Sequence, residues 1–368
     1  MERIFDTAYS EILKKMDSIN PIQYGKTRNY IDGAVTYLSP YISRGVISTK
    51  KVLEKTIERG YTLDAIQPFV KELCWRDYFQ RVGQEKDLHR DIKNPQEQVI
   101  HHQIPSAIVS ASTGIEGIDQ AIQTLYNNGY MHNHCRMYTA SIICNIAHSH
   151  WHHPATWMYY HLLDGDWASN FCSWQWVAGA NSNKRYYANQ ENINKYTHTN
   201  QSNTFLDNSY ENLEQMATPS YLLETTAFNP KTTLPQSDSI EINSNWPTFI
   251  YNYYNLDPEW HNNENGNKIL LLEPAFFEEY PVSEKCIQFM LALSKNITDI
   301  QVYVGSFASF VAQYQPSKIV YKEHPLNKGY IGIQESRDWV LEEVTGYHPS
   351  FFAYWKKMEK HLYKKYRQ

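Results

Sequence analysis

Two stretches decide how this chain reads: Gly129-Tyr-Met-His-Asn-His-Cys-Arg-Met137 and Leu163-Asp-Gly-Asp-Trp-Ala-Ser-Asn170. Asp164 and Asp166 flank a glycine, so both carboxylates can crowd one site. Arg136 is the natural partner for one of them, because a semi-buried carboxylate needs a fixed cation. A flat ring bearing imide N–H and carbonyl groups suits such an Asp/Arg/Asn set. Upstream, the hydroxyls of Thr36 and Ser39 lie just before Pro40, at an expected helix start that suits phosphate oxygens. A diphosphate plus a flat polar ring point to a flavin nucleotide.

Three further segments share the same theme of small polar groups, an arginine or tryptophan. They are Tyr24 to Arg28 with Thr36-Tyr-Leu-Ser-Pro-Tyr-Ile-Ser-Arg-Gly45, then Glu72-Leu-Cys-Trp-Arg-Asp77, then Trp174-Gln-Trp-Val-Ala-Gly179. Around them, apolar residues recur at spacings of three and four in Ile118, Ile122, Leu125 and in Ile142, Ile143, Ile146, which predicts helices. Asp119 sits near an expected helix start after Thr113-Gly114. The fold class expected is mainly α: a helical domain over 1–205, a polar linker or surface excursion over 206–245, and a small α/β domain with a helical tail over 246–368. In that last part Lys268 to Glu273, Ile300 to Val304 and Ile319 to Tyr321 read as strands. Stretches over Ser283 to Lys295 and Phe307 to Tyr314 read as helices between them, which implies a small parallel sheet. The tail is expected to be helical from Ser336.

Composition bounds the function without naming it. The chain has 368 residues, enough for roughly two domains at about 100–200 residues each. Its 29 Tyr and 10 Trp argue against disorder. No apolar run approaches the ~20 residues of a membrane span, and Met1 to Ser10 lacks a signal-peptide core, so a cytoplasmic protein is expected. The five cysteines form no CxxC pair, which excludes a zinc ribbon and a disulfide scaffold. The net charge of −5 divides as +1 over residues 1–205 and −6 over 206–368. The first half is therefore near neutral, with room for a local basic groove.

In this order the five segments resemble the photolyase/cryptochrome family, specifically its helical FAD-binding domain, in a short form lacking the usual N-terminal antenna domain. The resemblance covers residues 20–180. It implies a bent FAD in a helical bundle and light-driven electron transfer to a pyrimidine dimer flipped out of DNA. Tyr24, Arg28, Thr36, Leu38 and Ser39 match positions that hold the phosphates and ribityl chain. Phe69 matches an aromatic beside the adenine, and Arg76 a further contact. Asn133, Arg136, Asp164 and Asp166 match residues around the adenine and the flavin ring. Asn170 matches the residue facing flavin N5, where a neutral amide is the photolyase-like choice. Glu72, Trp75, Met137 and Trp176 match the lesion pocket, with the two indoles stacking on extruded bases. Trp174 and Trp151 match the first two members of an electron relay. The third position counts back to Gln98, so photoreduction is expected to stop early or to exit through another ring, such as Trp157 or Tyr159.

Departures from the pattern fall on phosphate contacts, which dominate DNA affinity. His134 stands where the family has an arginine. The segment after Gly179 is replaced by Ser182 to Gln190, leaving Lys184 and Arg185 as substitutes. The function expected is splitting of cyclobutane pyrimidine dimers, as a deoxyribodipyrimidine photolyase-like lyase with FAD as cofactor and UV-damaged DNA, duplex or single-stranded, as partner. The alternative is a cryptochrome-like photoreceptor signalling to a protein partner through the acidic C-terminal region. A third reading is a flavoprotein that binds single-stranded DNA. The helical geometry spreads the histidine run His148 to His153 over several faces, so no metal site is expected. A monomer is expected, without membrane association.

Overall fold

Ile118, Ile122 and Leu125 are all buried, on one face of the helix Glu116–Asn128. Asp119 supports its first turn, accepting from the backbone N–H of Thr113 at 2.8 Å and that of Gly114 at 3.2 Å. Gly129 ends the helix in the left-handed region at φ +66°. A Cβ there would sit 2.6 Å from Leu163, so only glycine fits. The computed structural model describes residues 5–366. The first four residues of the mixed-charge N-terminal stretch and the last two of the Lys-rich tail lie outside it.

Two compact units alternate along the chain. One holds Gln23–Val35 and Lys86–Pro230; the other holds Phe5–Ile22, Thr36–Glu85 and the chain from Lys231 onward. The first unit is helical apart from a short antiparallel pair, β1 (Ile104–Pro105) with β2 (Thr225–Thr226). Its helices include Asn133–Ser141, His152–His161 and Trp167–Ala178. The spacing of Ile142, Ile143 and Ile146 predicts ordinary helix. The segment instead forms a wider π turn over Ile142–Ile146, closed by Ala147 N–H to Ile142 O at 2.8 Å. Asn145 on that turn faces inward and donates to the carbonyls of Val177 and Tyr186.

Gln175, fully buried between Trp174 and Trp176, is a clip for the segment before it. Its Nε2 donates to Leu88 O and Arg90 O at 3.2 and 3.1 Å, and its Oε1 accepts from Ile92 N–H at 2.9 Å. A buried amide with three partners satisfies backbone groups that no ladder reaches.

The second unit combines the long helix Leu63–Glu85 with a five-stranded sheet and the C-terminal helix Phe351–Tyr366. The strands are β3 (Thr248–Tyr251), β4 (Asn267–Leu272), β5 (Ile300–Val304), β6 (Ile319–Lys322) and β7 (Ile333–Glu335). All pairings are parallel, in the order β5-β4-β3-β6-β7. The first strand is therefore central, and the direction of winding reverses between β3 and β6, as in a doubly wound sheet. β3 and β4 are buried at every position, as expected of strands covered on both faces. Ile250, Ile269, Leu271, Tyr303, Phe310 and Tyr321 form one of the apolar layers. The sequence pattern anticipates β4, β5 and β6 and the helices between them, but not the central β3 or the edge strand β7. β3 is only four residues long and emerges directly from the polar stretch.

That polar stretch is divided between the two units at Pro230. Ser237, Asp238 and Glu241 lie along β5, with Asp238 N–H donating to Val302 O at 2.8 Å and Val302 N–H to Asp238 Oδ2 at 2.7 Å. The expected helix from Ser336 begins only at Phe351. The residues between form no regular element. Arg81 lies over Trp339 at 3.5 Å, and Val340 N–H donates to the buried carboxylate of Asp77 at 2.8 Å. Thr49 Oγ1 donates to the same carboxylate at 2.8 Å. Burial pushes the Asp77 carboxyl above its ordinary range despite these bonds.

The C-terminal helix runs antiparallel along the long helix. Phe351 stacks on Trp75 (3.8 Å between centroids, 9° between planes), Lys71 lies 5.1 Å over Trp355, and Gln67 donates to Glu359 at 3.1 Å. Tyr363 bonds Asp64 one turn further on.

Two outcomes follow from this packing. Replacing Gln175 with Leu strands three backbone groups around the 88–92 segment, and chemical denaturation should show a loss of about 2–4 kcal/mol. An unchanged midpoint would show that the clip is dispensable. The second concerns acid. His132 caps the helix Asn133–Ser141 by accepting from His134 N–H through Nδ1 at 3.2 Å, which requires a neutral ring. Burial, chiefly, pushes His132, His134 and His152 each down to about 4. The unfolded chain takes up these protons from pH about 6.5 downward, while the folded one resists until about 4. Stability is therefore fully present above that window and is lost as pH falls through it. His132→Asn keeps a capping oxygen without titrating, so this variant should flatten part of the acid slope in thermal melts; an identical slope would remove His132 from the account.

Candidate functional site

The expected site residues divide between the two units. In the first, the two deciding stretches meet. Leu163 N–H donates to Gly129 O at 2.8 Å. Arg136 Nη2 reaches both oxygens of Asp164, at 3.0 and 2.8 Å, and its Nε donates to Met131 O at 2.7 Å. Asp164 is buried, so this charged pair is strong and directional. Gly165 makes the turn possible: a Cβ there would lie 2.9 Å from Leu162 O. Asp166 caps the helix Trp167–Ala178, accepting from Ser169 N–H at 2.8 Å. One oxygen of Asp166 thus serves the helix. Asn170, one turn in, donates from Nδ2 to Ala155 O at 2.9 Å. That bond fixes the plane of its amide.

Around this frame, Asn133 is exposed and its amide contacts Met137 Sδ at 3.8 Å. Tyr24 lies midway along the helix Pro21–Thr27 and Arg28 directly follows it, with Arg28 N–H donating to Tyr24 O at 3.0 Å and Arg28 Nη1 to Gly25 O at 3.2 Å. His134, which stands in place of the expected arginine, is held neutral by burial and by the Arg28 charge.

Trp174 and Trp151 are both buried, at 2% and 0% exposure. Trp151 donates from Nε1 to Asp91 Oδ1 at 2.6 Å, and its backbone N–H donates to Gln96. A carboxylate this close favours positive charge on the indole. Trp157 is also fully buried and donates to Tyr126 Oη at 3.2 Å. Gln98, where the resemblance leads one to expect a third relay aromatic, accepts from Arg185. Lys184 and Trp176 are exposed, and Trp176 packs against Tyr186 at 5.7 Å.

In the second unit, the segment from Thr36 carries the short helix Ser39–Ser43, with Leu38 N–H donating to Thr36 Oγ1 at 3.3 Å. Arg76 ties the long helix to this segment through Nη2 to Ile42 O at 3.2 Å. Phe69, Glu72 and Arg76 lie at helical spacing on the long helix. Phe69 is buried and the other two are half-buried. Trp75 is half-buried, and Phe351 occupies one face of its indole.

Three participants escape a reading by motif. Asp91 lies 60 residues from Trp151, so no local spacing signals their bond. Gln175 and His132 carry a weaker signal, a polar residue inside a stretch that is otherwise apolar or aromatic.

The donor set fits a flavin nucleotide. Ser169 Oγ is buried with no hydrogen-bond partner among the described residues, in the turn between Asp166 and Asn170. A buried hydroxyl in that state is satisfied when a polar group enters beside it.

The family model for the FAD binding domain of DNA photolyase matches residues 69–257, just over half of the chain. The deoxyribodipyrimidine photo-lyase of Streptomyces griseus is 30% identical over 171 residues, covering 44% of this chain and 37% of that protein. A chloroplastic/mitochondrial cryptochrome DASH of Ostreococcus tauri is 30% identical over 196 residues, covering 47% and 33%. The chain thus spans about a third of the length of these relatives. Among solved structures, a Synechocystis cryptochrome aligns at 22% identity with a TM-score of 0.46, over 53% of this chain and 44% of that one. Half of the sequence follows one domain model, over the segments that hold the Arg136–Asp164 pair, and the chain belongs to the photolyase/cryptochrome family through its FAD-binding domain.

Proposed function

We propose that this chain is a light-dependent DNA repair flavoprotein that splits cyclobutane pyrimidine dimers. The observation that carries the reading is the fixed series Arg136, Asp164, Asp166 and Asn170: a clamped ion pair, a capping carboxylate and an oriented amide within one helical unit. Bound FAD would supply light absorption and one-electron transfer to the dimer. Thr36, Ser39, Tyr24 and Arg28 would hold its phosphates and ribityl chain, with Leu38, Phe69 and Arg76 beside them. Arg136 and Asp164 would present fixed charge to the ring system together with Asn133. Asn170, with Nδ2 already committed to Ala155 O, offers a neutral amide that cannot protonate its neighbour.

On the substrate side, Trp75 would stack on an extruded base with its remaining face, and Trp176 offers an exposed indole. Glu72 would accept a hydrogen bond from a thymine edge, and Met137 would line the pocket. Lys184 and Arg185 supply the local positive charge for phosphates. The names of the Streptomyces griseus relative and its like agree with this activity. A photoreceptor reading is favoured by one observation: Phe351 already covers a face of Trp75, where a base is expected to stack. In that reading the C-terminal region signals to a protein partner.

Three measurements test the proposal. The purified chain, reduced and illuminated with near-UV light, should restore the 260 nm absorbance of UV-damaged oligothymidylate; FAD-loaded protein that leaves the lesions intact would move the assignment to the photoreceptor. Asp164→Asn leaves Arg136 unpaired, and breaking such a pair costs about 3–5 kcal/mol. The variant should therefore purify with little or no FAD, and full FAD occupancy would remove the pair from the site. Glu72→Gln should keep FAD while lowering repair yield severalfold; unchanged yield would take Glu72 out of the lesion pocket.

A further inference from the structure

The C-terminal helix carries a surface that the family match does not reach, since the matched residues end at 257. The helix is Phe351–Tyr366. Its inward face is fully engaged. Phe351, Trp355 and Glu359 contact Trp75, Lys71 and Gln67, Tyr363 bonds Asp64, and Lys365 pairs with Glu54. The outward face is different. Phe352, Lys356, Lys360 and Lys364 follow one another at steps of four and are all exposed. Each step advances about 6 Å along the axis, so the four form a slowly winding row. None of the three lysines has an ion-pair partner among the described residues. Phe352 is 75% exposed, the ring of a phenylalanine standing in water at the head of the row.

A run of lysines on a helix is ordinarily a solvated face. Two features set this one apart. It sits in the acidic part of the chain, where residues 206–368 carry a net −6, yet the row itself contains no acid. An exposed aromatic beside spaced cations is also the pairing that single-stranded nucleic acid selects: the ring stacks on an unpaired base and the cations follow the phosphates. A duplex hides the base face that Phe352 would need.

We infer that the outward face of the C-terminal helix, Phe352 with Lys356, Lys360 and Lys364, binds single-stranded nucleic acid. The inference deepens the repair reading and rests on it for its biological sense, because Phe351 beside Phe352 stacks on Trp75. This row would supply backbone contacts on an element outside the matched domain.

The test is the salt dependence of binding to a fluorescent oligothymidylate, followed by anisotropy on the full chain. Replacing Lys356, Lys360 and Lys364 together with Gln should lower the slope of log K against log salt by about 2, at about 0.7 for each phosphate that a lysine no longer neutralises. Phe352→Ala should weaken binding about 5- to 100-fold and leave the slope unchanged. All four side chains are exposed, so the fold survives; an unchanged melting temperature confirms it. Absence of binding by the wild type, or a slope that the triple variant does not change, overturns the inference. So does a triple variant that loses only binding to phosphatidylserine vesicles, which would assign the row to a membrane surface. Dimer repair with an unaltered slope would sink this inference alone. Lysine-dependent binding without repair would sink the repair reading alone.

Discussion

The guanidinium of Arg136 against the buried carboxylate of Asp164 is the constraint on which the helical unit turns. A carboxylate taken out of water needs a fixed cation, and the cation in turn needs its remaining donors placed. Arg136 meets the second demand through Met131 O, two residues before its own helix begins. The pair therefore sets the start of one helix against the turn that begins another. Gly129 is required by the same closeness, because a side chain there would strike Leu163, and Gly165 by the tight turn itself, where a Cβ would strike the carbonyl of Leu162. Asp166 and Asn170 then take their positions by ordinary helix capping and spacing.

Much of this was legible in sequence because the pair is announced locally. Two carboxylates around a glycine, and an arginine in a segment of small polar residues, carry their chemistry in their spacing. The helix over Ile118, Ile122 and Leu125 was legible for the same reason, since a buried face repeats. What was not legible depends on distant partners. The π turn at Ile142–Ile146 has the apolar spacing of an α-helix, and its width is visible only with the inward Asn145 bonds. The bond from Trp151 to Asp91 and the clip made by Gln175 join residues 60 and more positions apart.

The sheet shows the same division. β4, β5 and β6 read as apolar runs between turns. The central β3 is short and follows a polar stretch, so its pattern is too brief to distinguish from a loop. The stretch before the C-terminal helix misled for the opposite reason. Its residues are compatible with helix, but Trp339 and Val340 are drawn out by Arg81 and Asp77. Tertiary partners there outweigh local preference.

The segment Ser237 to Glu241 beside β5 has a consequence for how the molecule behaves among its own kind. Its main-chain and side-chain groups already occupy the outward amides and carbonyls of Val302 and Val304. A neighbouring chain seeking to extend the sheet finds that flank spoken for, so uncontrolled growth by strand addition is blocked there. The opposite flank ends in three residues of β7, with Ile331 and Ile333 bare to solvent. Crowded or partly opened molecules would meet through that side, so a few bare residues on one sheet edge would set how copies of the chain associate.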